Sequence, residues 1–158
     1  IISIIAQNYG ANNLVRIKET YFTAIKYAFI IMITAGTLVF LSAGIITSFF
    51  SNDPEVIEYG KRYLKISAFV LPAYPVFFLS NGFFMALKKS ENAMISNFFR
   101  NVLNPIAVFY IAKHINASFE TFFWLWVGIN WFFSISYFFI IIYYFRLKLN
   151  KSSTVVHP

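Results

Sequence analysis

The chain has 158 residues, of which 59% are hydrophobic and only 12% are charged, and its formal net charge is +7. A soluble domain carries about twice that share of charged residues, so the composition predicts a membrane protein rather than a soluble one. There is no cysteine, which excludes disulfides and thiolate chemistry.

The first six residues, Ile1 to Ala6, are apolar but too short to cross a bilayer, which needs about 20 residues. They show no initiator Met, basic region or cleavage site and so differ from a signal peptide. We expect them to be the end of a helix whose start is missing. A turn and an N-cap at Asn12 and Asn13 are predicted next, followed by an interfacial helix over 14–26 with its charged residues facing water.

Four stretches with little or no charge are long enough to cross a membrane as helices. We call them spans A to D, and they cover residues 27–52, 66–87, 94–112 and 121–145. Span B contains Pro72 and Pro75, and span C contains Arg100. The pattern predicts an all-α, polytopic transmembrane helix bundle over residues 1–149, followed by a polar tail at 150–158 on the cytoplasmic side.

The connections between the spans carry helix start signals and turn signals. Asp53 followed by Pro54 and Glu55 is typical of a helix start, with a capping side chain, a proline at the first helical position and an acid in the first turn. That helix is expected to continue into span B. Residues 88–92 predict a tight polar turn, and residues 113–120 link spans C and D.

The distribution of basic residues predicts the orientation of the bundle. Eight Lys and Arg residues are expected on one side of the membrane, namely Arg16, Lys18, Lys26, Lys88, Lys89, Arg146, Lys148 and Lys151. Four are expected on the other side, namely Lys61, Arg62, Lys65 and Lys113. Because cytoplasmic loops carry the excess of positive charge, the C-terminus is predicted to be cytoplasmic. Trp124 and Trp126 would then lie at the outer interface.

No arrangement of residues typical of an enzyme is present. The two histidines, His114 and His157, lie far apart, and all six acids fall outside the spans. Neither a phosphate-binding glycine loop nor a metal-ligand spacing occurs in the sequence. We therefore expect no catalytic residue, no metal site and no nucleic-acid partner.

Polar side chains in span C lie along one helical face. Asn97, Arg100, Asn101 and Asn104 follow each other at i, i+3, i+4 and i+7, and Pro105 leaves the carbonyl of Asn101 without its helical donor. Lipid cannot satisfy such a face, so it is expected to contact other helices or a watery cavity. Hydrogen bonding between helices, with the arginine extended towards the headgroups, is favoured over substrate contact.

Span B places Tyr74, Phe78, Asn81 and Met85 on one face, just after the double proline. Bends of this kind often line cavities in transporters, and an aromatic wall would suit a flat, apolar cation. A packed core stripe beside a tolerated kink explains the pattern equally well. Both interpretations remain open at the level of the sequence.

Two motifs resemble those of the multidrug and toxic compound extrusion (MATE) family. Residues 6–12, AQNYGAN, resemble the turn that follows a span in that family. Residues 49–56, FFSNDPEV, and 63–66, YLKI, are similar to a second segment of it. The resemblance implies the C-terminal lobe of a twelve-helix transporter, with the end of helix eight and helices nine to twelve.

The resemblance also implies a function and roles for residues. The family exports amphiphilic or cationic compounds in exchange for H⁺ or Na⁺ by alternating access, in a plasma or inner membrane and without a cofactor. The expected substrate-binding residues are Tyr74, Phe78, Asn81, Asn101 and Asn104. Structural or hinge roles are expected for Gln7, Asn8, Gly10, Pro72, Pro75 and Pro105. The coupling carboxylates would lie outside this chain, and we expect the chain to need the bilayer and a missing N-terminal lobe.

Two other functions are compatible with the sequence. A related flippase of lipid-linked oligosaccharides shares the architecture but is expected to hold several cationic residues in its cavity, whereas this chain offers only Arg100. A non-transporting membrane assembly subunit is the third possibility. The polar, double-proline span B argues against that role, because a purely structural bundle gains little from such a helix.

Overall fold

A computed structural model describes the backbone of residues 1–153 and the side chains of residues 1–147. The described chain is an all-α bundle, as the sequence predicts, and contains no strand between residues 1 and 153. Its α-helices are α1 (Ile2–Gly10), α2 (Leu14–Phe50), α3 (Pro54–Ala68), α4 (Tyr74–Ala86), α5 (Ser90–Phe98), α6 (Asn104–His114) and α7 (Phe119–Ser153). A 3₁₀ turn, Leu71–Ala73, joins α3 to α4, and a π-helical turn, Phe99–Leu103, joins α5 to α6.

The helices of the described chain are of two kinds. Three are long and apolar enough to cross a membrane, namely Leu14–Phe50, the broken helix Pro54–Ala86 and Phe119–Leu147. The predicted span C does not meet the same criterion, since Arg100 and its asparagines lower its hydropathy. The outer faces of the bundle expose many large apolar side chains, for example Leu41 and Phe50. Such a surface suits hydrocarbon rather than water.

The predicted interfacial helix over 14–26 does not exist as a separate element. It is continuous with span A in the 37-residue helix α2. The change from charged to apolar residues near Lys26 marks a change of surroundings, and no glycine or proline lies there to end the helix. The tail at 150–158 lies largely outside the described residues, which continue α7 to Ser153.

The predicted caps are confirmed. The side chain of Asn13 accepts a hydrogen bond from the Arg16 amide at the start of α2. Asp53 accepts one from the Glu55 amide at the start of α3, with Pro54 at the first helical position. These side chains satisfy amide donors that have no partner inside their helices.

Helix α1 ends in a Schellman motif that fixes its turn into α2. The Asn13 amide donates to the Asn8 carbonyl, and the Asn12 amide donates to the Tyr9 carbonyl. Asn12 occupies the left-handed region with φ of 54°. Gly10, expected in this turn, is the last residue of α1 instead. Asparagine tolerates this conformation better than most residues, because its short side chain bonds locally.

The main core joins α1, the start of α2, α4 and the end of α7. Its large buried side chains are Ile5, Ile17, Tyr21, Phe83, Phe84, Ile141 and Phe145. Inside it, the Tyr21 hydroxyl lies 2.7 Å from the hydroxyl of Ser80, which gives both buried groups a partner. The core therefore holds α4, which carries three of the five predicted binding residues, against the two longest helices.

The double proline breaks the helix between α3 and α4, and α7 braces the break. The carbonyl of Phe69 loses both of its usual helical donors, because Pro72 has no N–H and the Ala73 amide donates to Val70. The indole N–H of Trp131 donates to that carbonyl at 2.9 Å. Neighbouring helices commonly satisfy the backbone groups that proline frees in membranes. The break is thus a fixed part of the bundle.

A second contact from α7 reaches the same break. The hydroxyl of Ser134, which is buried, donates to the carbonyl of Ala73 at 2.9 Å. Helix α2 also approaches the break, and its Gly36 lies so close that a methyl group there would be 2.9 Å from the carbonyl oxygen of Ala68. The break is therefore enclosed by α2 and α7, and it sets the direction in which α4 leaves.

Candidate substrate cavity

A cavity of about 380 Å³ lies between α4, the π-helical turn, α6 and α7. It is lined by Tyr74, Phe78, Arg100, Asn101, Asn104, Pro105, Trp126 and Asn130. The sequence places these residues far apart, on spans B, C and D. Folding brings together the aromatic face of span B and the polar face of span C, which the sequence left as two separate patterns.

Arg100 is the centre of the cavity's polar wall. Its guanidinium carbon lies 4.7 Å from the ring centroid of Tyr74, 4.2 Å from that of Phe77 and 5.1 Å from that of Phe78. Guanidinium groups stack on aromatic faces through cation–π attraction, which strengthens away from water. Three rings of α4 therefore hold the half-buried guanidinium against the bundle, while the extension of Arg100 towards the headgroups stays a prediction.

Asn130 fixes the position of Arg100 from the other side. Its amide nitrogen donates to the Trp126 carbonyl at 2.8 Å, which directs its oxygen towards the arginine. That oxygen lies 3.4 Å from Nε of Arg100 and accepts a hydrogen bond from it. This contact links the predicted span C to span D, so the expected bonding between helices is present in the structure.

Asn104 contributes an amide that nothing in the described chain satisfies. The residue is only 1% exposed, and neither its side-chain oxygen nor its nitrogen has a hydrogen-bond partner. An unpaired buried amide is costly, so a group of this kind is unusual in a core selected only for stability. It lines the cavity beside Arg100, where it offers both a donor and an acceptor.

The predicted binding residues do not all reach this cavity. Tyr74, Phe78, Asn101 and Asn104 line it. Asn81, which shares a helical face with Tyr74 and Phe78, is buried away from it, and both of its amide atoms also have no partner in the described chain. One turn of helix beyond Phe78 the packing changes from an open wall to a closed core, so Asn81 does not line this cavity, and its role in binding stays a prediction.

The predicted hinge residues fall into two groups. Pro72 and Pro75 lie at the 3₁₀ break, and Pro105 lies one residue after the start of α6, just beyond the π-helical turn. All three are at real irregularities of the backbone. Gln7, Asn8 and Gly10 lie at the end of α1 and contribute to its C-terminal turn, where the side chain of Asn8 bonds to the Ile4 carbonyl.

Three contributors were not predicted as part of a site. Phe77 supplies the ring nearest to Arg100, and it follows Tyr74 at i+3, next to the face that Tyr74 and Phe78 define. Trp126, which was expected at the outer interface, and Asn130 of span D also line the cavity. Two signals were available in the sequence. Phe77 stands at helical spacing from Tyr74, and Asn130 is a polar group inside an apolar span, where it needs a polar partner such as Arg100.

A larger cleft beside α5 and α7, about 440 Å³, lacks comparable polar groups. It is lined mainly by apolar and aromatic residues, and its serines, Ser96 and Ser136, donate to carbonyls of their own helices. Its two serines are therefore already used, and no charged residue of the described chain lines it. The cavity around Arg100 differs because its charged and amide groups keep unused bonding capacity.

Comparison with known proteins agrees with the fold and the motifs. Residues 1–110 match the family model MatE. A structure described as "Crystal structure of MATE in complex with MaL6" superposes on this chain with a TM-score of 0.86 and 19% sequence identity. The match covers 94% of this chain and 34% of that chain, so this chain spans about a third of that protein's length. At this identity the likeness establishes the fold.

Among curated proteins, none matches the sequence. The family model nevertheless matches well over half of the chain, and the neighbouring structure has the same arrangement of helices. The resemblance that the two sequence motifs indicate is confirmed. The chain belongs to the MatE family of membrane transporters.

Proposed function

We propose that this chain forms most of the second lobe of a two-lobe, twelve-helix secondary transporter that exports amphiphilic compounds. In this proposal α1 is the end of helix eight and the following segments are helices nine to twelve. A coupling ion, H⁺ or Na⁺, moves inward as the substrate leaves. The cavity around Arg100 faces the other lobe and forms part of the substrate path.

The observation that carries this proposal is the convergence of polar groups inside an apolar bundle. Arg100, Asn104 and Asn130 lie in segments that otherwise face lipid or a packed core, and they meet at one cavity beside a broken helix. Ionisable residues and broken helices at membrane depth are typical of substrate paths in transporters. The match to MatE supplies the architecture in which such a cavity is alternately opened.

Membrane orientation and coupling belong to the same proposal. The excess of basic residues in the first turns of α2, in the turn after α4 and at the end of α7 favours a cytoplasmic C-terminus in a plasma or inner membrane. Spans A to D contain no Asp or Glu, so we assign the coupling carboxylate to helices outside this chain. The chain alone should therefore not transport, because alternating access needs the opposing lobe.

The charge of Arg100 bears on the choice between substrates. Cationic drugs, which the family resemblance implies, would meet a like charge at this cavity and would have to bind elsewhere in the lobes. A lipid-linked oligosaccharide flippase is the second candidate, because a cation inside the cavity suits a pyrophosphate. The single arginine makes this candidate weaker, since several cations would be expected around two phosphates.

The test is transport by the full-length protein in vesicles with an imposed proton or sodium gradient. Gradient-dependent movement of an aromatic amphiphile is expected, and Tyr74→Ala should reduce it because this ring supports Arg100 and lines the cavity. Tyr143→Ala is the matched control, since Tyr143 is exposed on the outer surface of α7. Transport without a gradient, or equal loss in both variants, would contradict the proposal.

A further inference from the structure

We propose that the cavity around Arg100 binds the anionic group of an amphiphile whose flat ring packs against the aromatic wall of α4 and α7. The inference rests on the proposed transport function and names the substrate class of that same site. An aromatic carboxylate or a phosphate-bearing amphiphile has the required chemistry.

The first argument is the sign of the charge. Among the described residues that line the cavity, Arg100 is the one ionised side chain, and no carboxylate accompanies it. The ion pairs of the described chain lie elsewhere, where Glu58 and Glu120 contact Lys61 and Arg62 near the start of α3 and α7. Buried charges are normally paired, and the described chain supplies no acid to the half-buried Arg100, so the cavity is suited to an anion from outside this chain.

The second argument is the number of donors that Arg100 leaves unused. A guanidinium carries five N–H groups in a rigid fork. In the described chain only the Nε–H has an acceptor, the oxygen of Asn130, and that bond is long at 3.4 Å. The two terminal nitrogens carry the remaining donors. Paired donors of this geometry match the two oxygens of a carboxylate or phosphate.

The third argument is that the aromatic faces are already occupied by a cation. Tyr74, Phe77 and Phe78 all direct their rings towards the guanidinium at 4.2–5.1 Å. A substrate cation would have to displace Arg100 to use the same faces and would be repelled by it. An anion instead adds a favourable contact to an arrangement that is already formed, without rearranging it.

The fourth argument is the unpaired amide of Asn104. It is almost fully buried, it lines the same cavity, and both of its polar atoms have no partner within the described chain. Its amide atoms lie beneath the cavity surface, so they become donors to an oxyanion when a small shift of the side chain exposes them. Trp126 and the exposed ring of Phe78 provide flat surface for an aromatic body. Sites for small molecules commonly combine an apolar lining with a few convergent polar groups of this kind.

A purely structural role for Arg100 makes different predictions. If the arginine serves only to join α4 to α7 through the rings and Asn130, its removal should lower stability and weaken binding of every ligand alike. If it binds an anion, its removal should change the preference between ligands of opposite charge. The discriminating measurement is therefore a comparison of two probes with the same ring and opposite charge.

The experiment measures binding of pyrene carboxylate and of pyrene methylammonium to the purified full-length transporter, by fluorescence anisotropy. Wild type should bind the carboxylate at least about tenfold more tightly, as expected for a charge-assisted bidentate contact. Arg100→Gln should remove this preference, and Arg100→Lys should restore part of it. Arg62→Gln is the matched control, because Arg62 is exposed and does not line the cavity.

An added anionic phospholipid distinguishes two sources of the anion. Displacement of pyrene carboxylate by phosphatidylglycerol, but not by phosphatidylcholine, would support the anion site and identify a lipid phosphate as a ligand. No displacement would support a soluble aromatic anion. A preference for the ammonium probe, binding of neither probe, or an unchanged preference in Arg100→Gln would overturn the inference.

The outcome is separable from that of the proposed transport function. Gradient-driven movement of a cation with no anion binding would leave the transporter in place and remove the anion site. Anion binding without gradient-driven movement of either probe would support the anion site and contradict the proposed transport function. A size-exclusion profile that matches wild type establishes that Arg100→Gln still folds, and Arg100→Lys provides a second variant that keeps the charge.

Discussion

Two buried asparagines offer a sharp test of which polar groups in this bundle serve a ligand. Asn81 and Asn104 are 6% and 1% exposed, and none of their amide atoms has a partner in the described chain. Only Asn104 lines the cavity. We predict that replacing either with leucine, which has a similar shape, stabilises the protein, and that only Asn104→Leu weakens binding of an anionic probe.

The size of the effect follows from the missing hydrogen bonds. An unpaired buried amide costs about 1–3 kcal/mol, and leucine adds favourable apolar contact in the same space. Each substitution should therefore increase the free energy of unfolding by at least about 1 kcal/mol, which is roughly a fivefold change in the folding equilibrium. The same change should reduce affinity for pyrene carboxylate about tenfold in Asn104→Leu alone.

The assay is unfolding of the full-length protein in mixed micelles with increasing SDS, followed by tryptophan fluorescence. Asn97→Leu serves as the control, because its amide nitrogen already donates to the Ala93 carbonyl at 2.9 Å and no gain is expected. If both leucine variants are no more stable than wild type, the two amides have hydrogen-bond partners within the bundle. Equal loss of binding in both would refute the distinction between core and cavity.

Three further predictions concern the bundle. Ser134→Ala should lower the free energy of unfolding by about 1 kcal/mol, because it removes a hydrogen bond to the Ala73 carbonyl outside its own helix. Ser136→Ala is the control in the same SDS titration and should change little, because its hydrogen bond stays within α7. Gly36→Ala should destabilise by about 1–3 kcal/mol through contact with a backbone carbonyl, and Gly128→Ala, which meets nothing within 4 Å, should be neutral or stabilising. Lys88→Gly should increase the free energy of unfolding by about 0.5–1 kcal/mol, measured as a higher midpoint of thermal unfolding. Residue 88 has a φ of 58°, a left-handed conformation that glycine adopts more easily than lysine.

Each of these predictions has a result that contradicts it. Equal effects at the two serines would show that the brace from α7 does not stabilise the helix break. A gain from Gly36→Ala would show that α2 and α3 separate easily at their contact. For Lys88, the same change at the following residue is the control, since its φ of −110° gives glycine no advantage there. A larger gain at that control position would contradict the argument from backbone conformation.

The sequence predicts the class of this fold because hydrocarbon imposes simple demands. Long uncharged stretches, an Asp-Pro helix start and an asparagine cap each have one dominant physical cause, and all three appear in the structure. The separate interfacial helix over 14–26 was wrong for a related reason. Charge reports what surrounds a helix and not where its backbone ends, so one continuous helix crosses from a polar to an apolar setting.

The site was less predictable, because it depends on which side chains meet across helices. Helical spacing correctly grouped Tyr74 with Phe78 and Asn101 with Asn104, yet it could not place the two faces together. Nor could it show that Arg100 turns inward, since that depends on rings from α4. Asn81 followed the same spacing and still lies in the core. Helical spacing shows which face of a helix a residue occupies, but it does not show whether that part of the face is covered by neighbouring helices.

The position of Arg100 connects the irregular parts of the backbone to the chemistry of the cavity. The 3₁₀ break before Tyr74 turns α4 so that its first aromatic residues face the π-helical turn, and that turn carries the arginine. Pro105 removes a helical donor where the π turn ends, which favours the wider winding there. A regular helix on either side would rotate these groups apart. The two local departures from helical geometry, each set by proline, therefore bring a charge and three rings within 4.2–5.1 Å of each other.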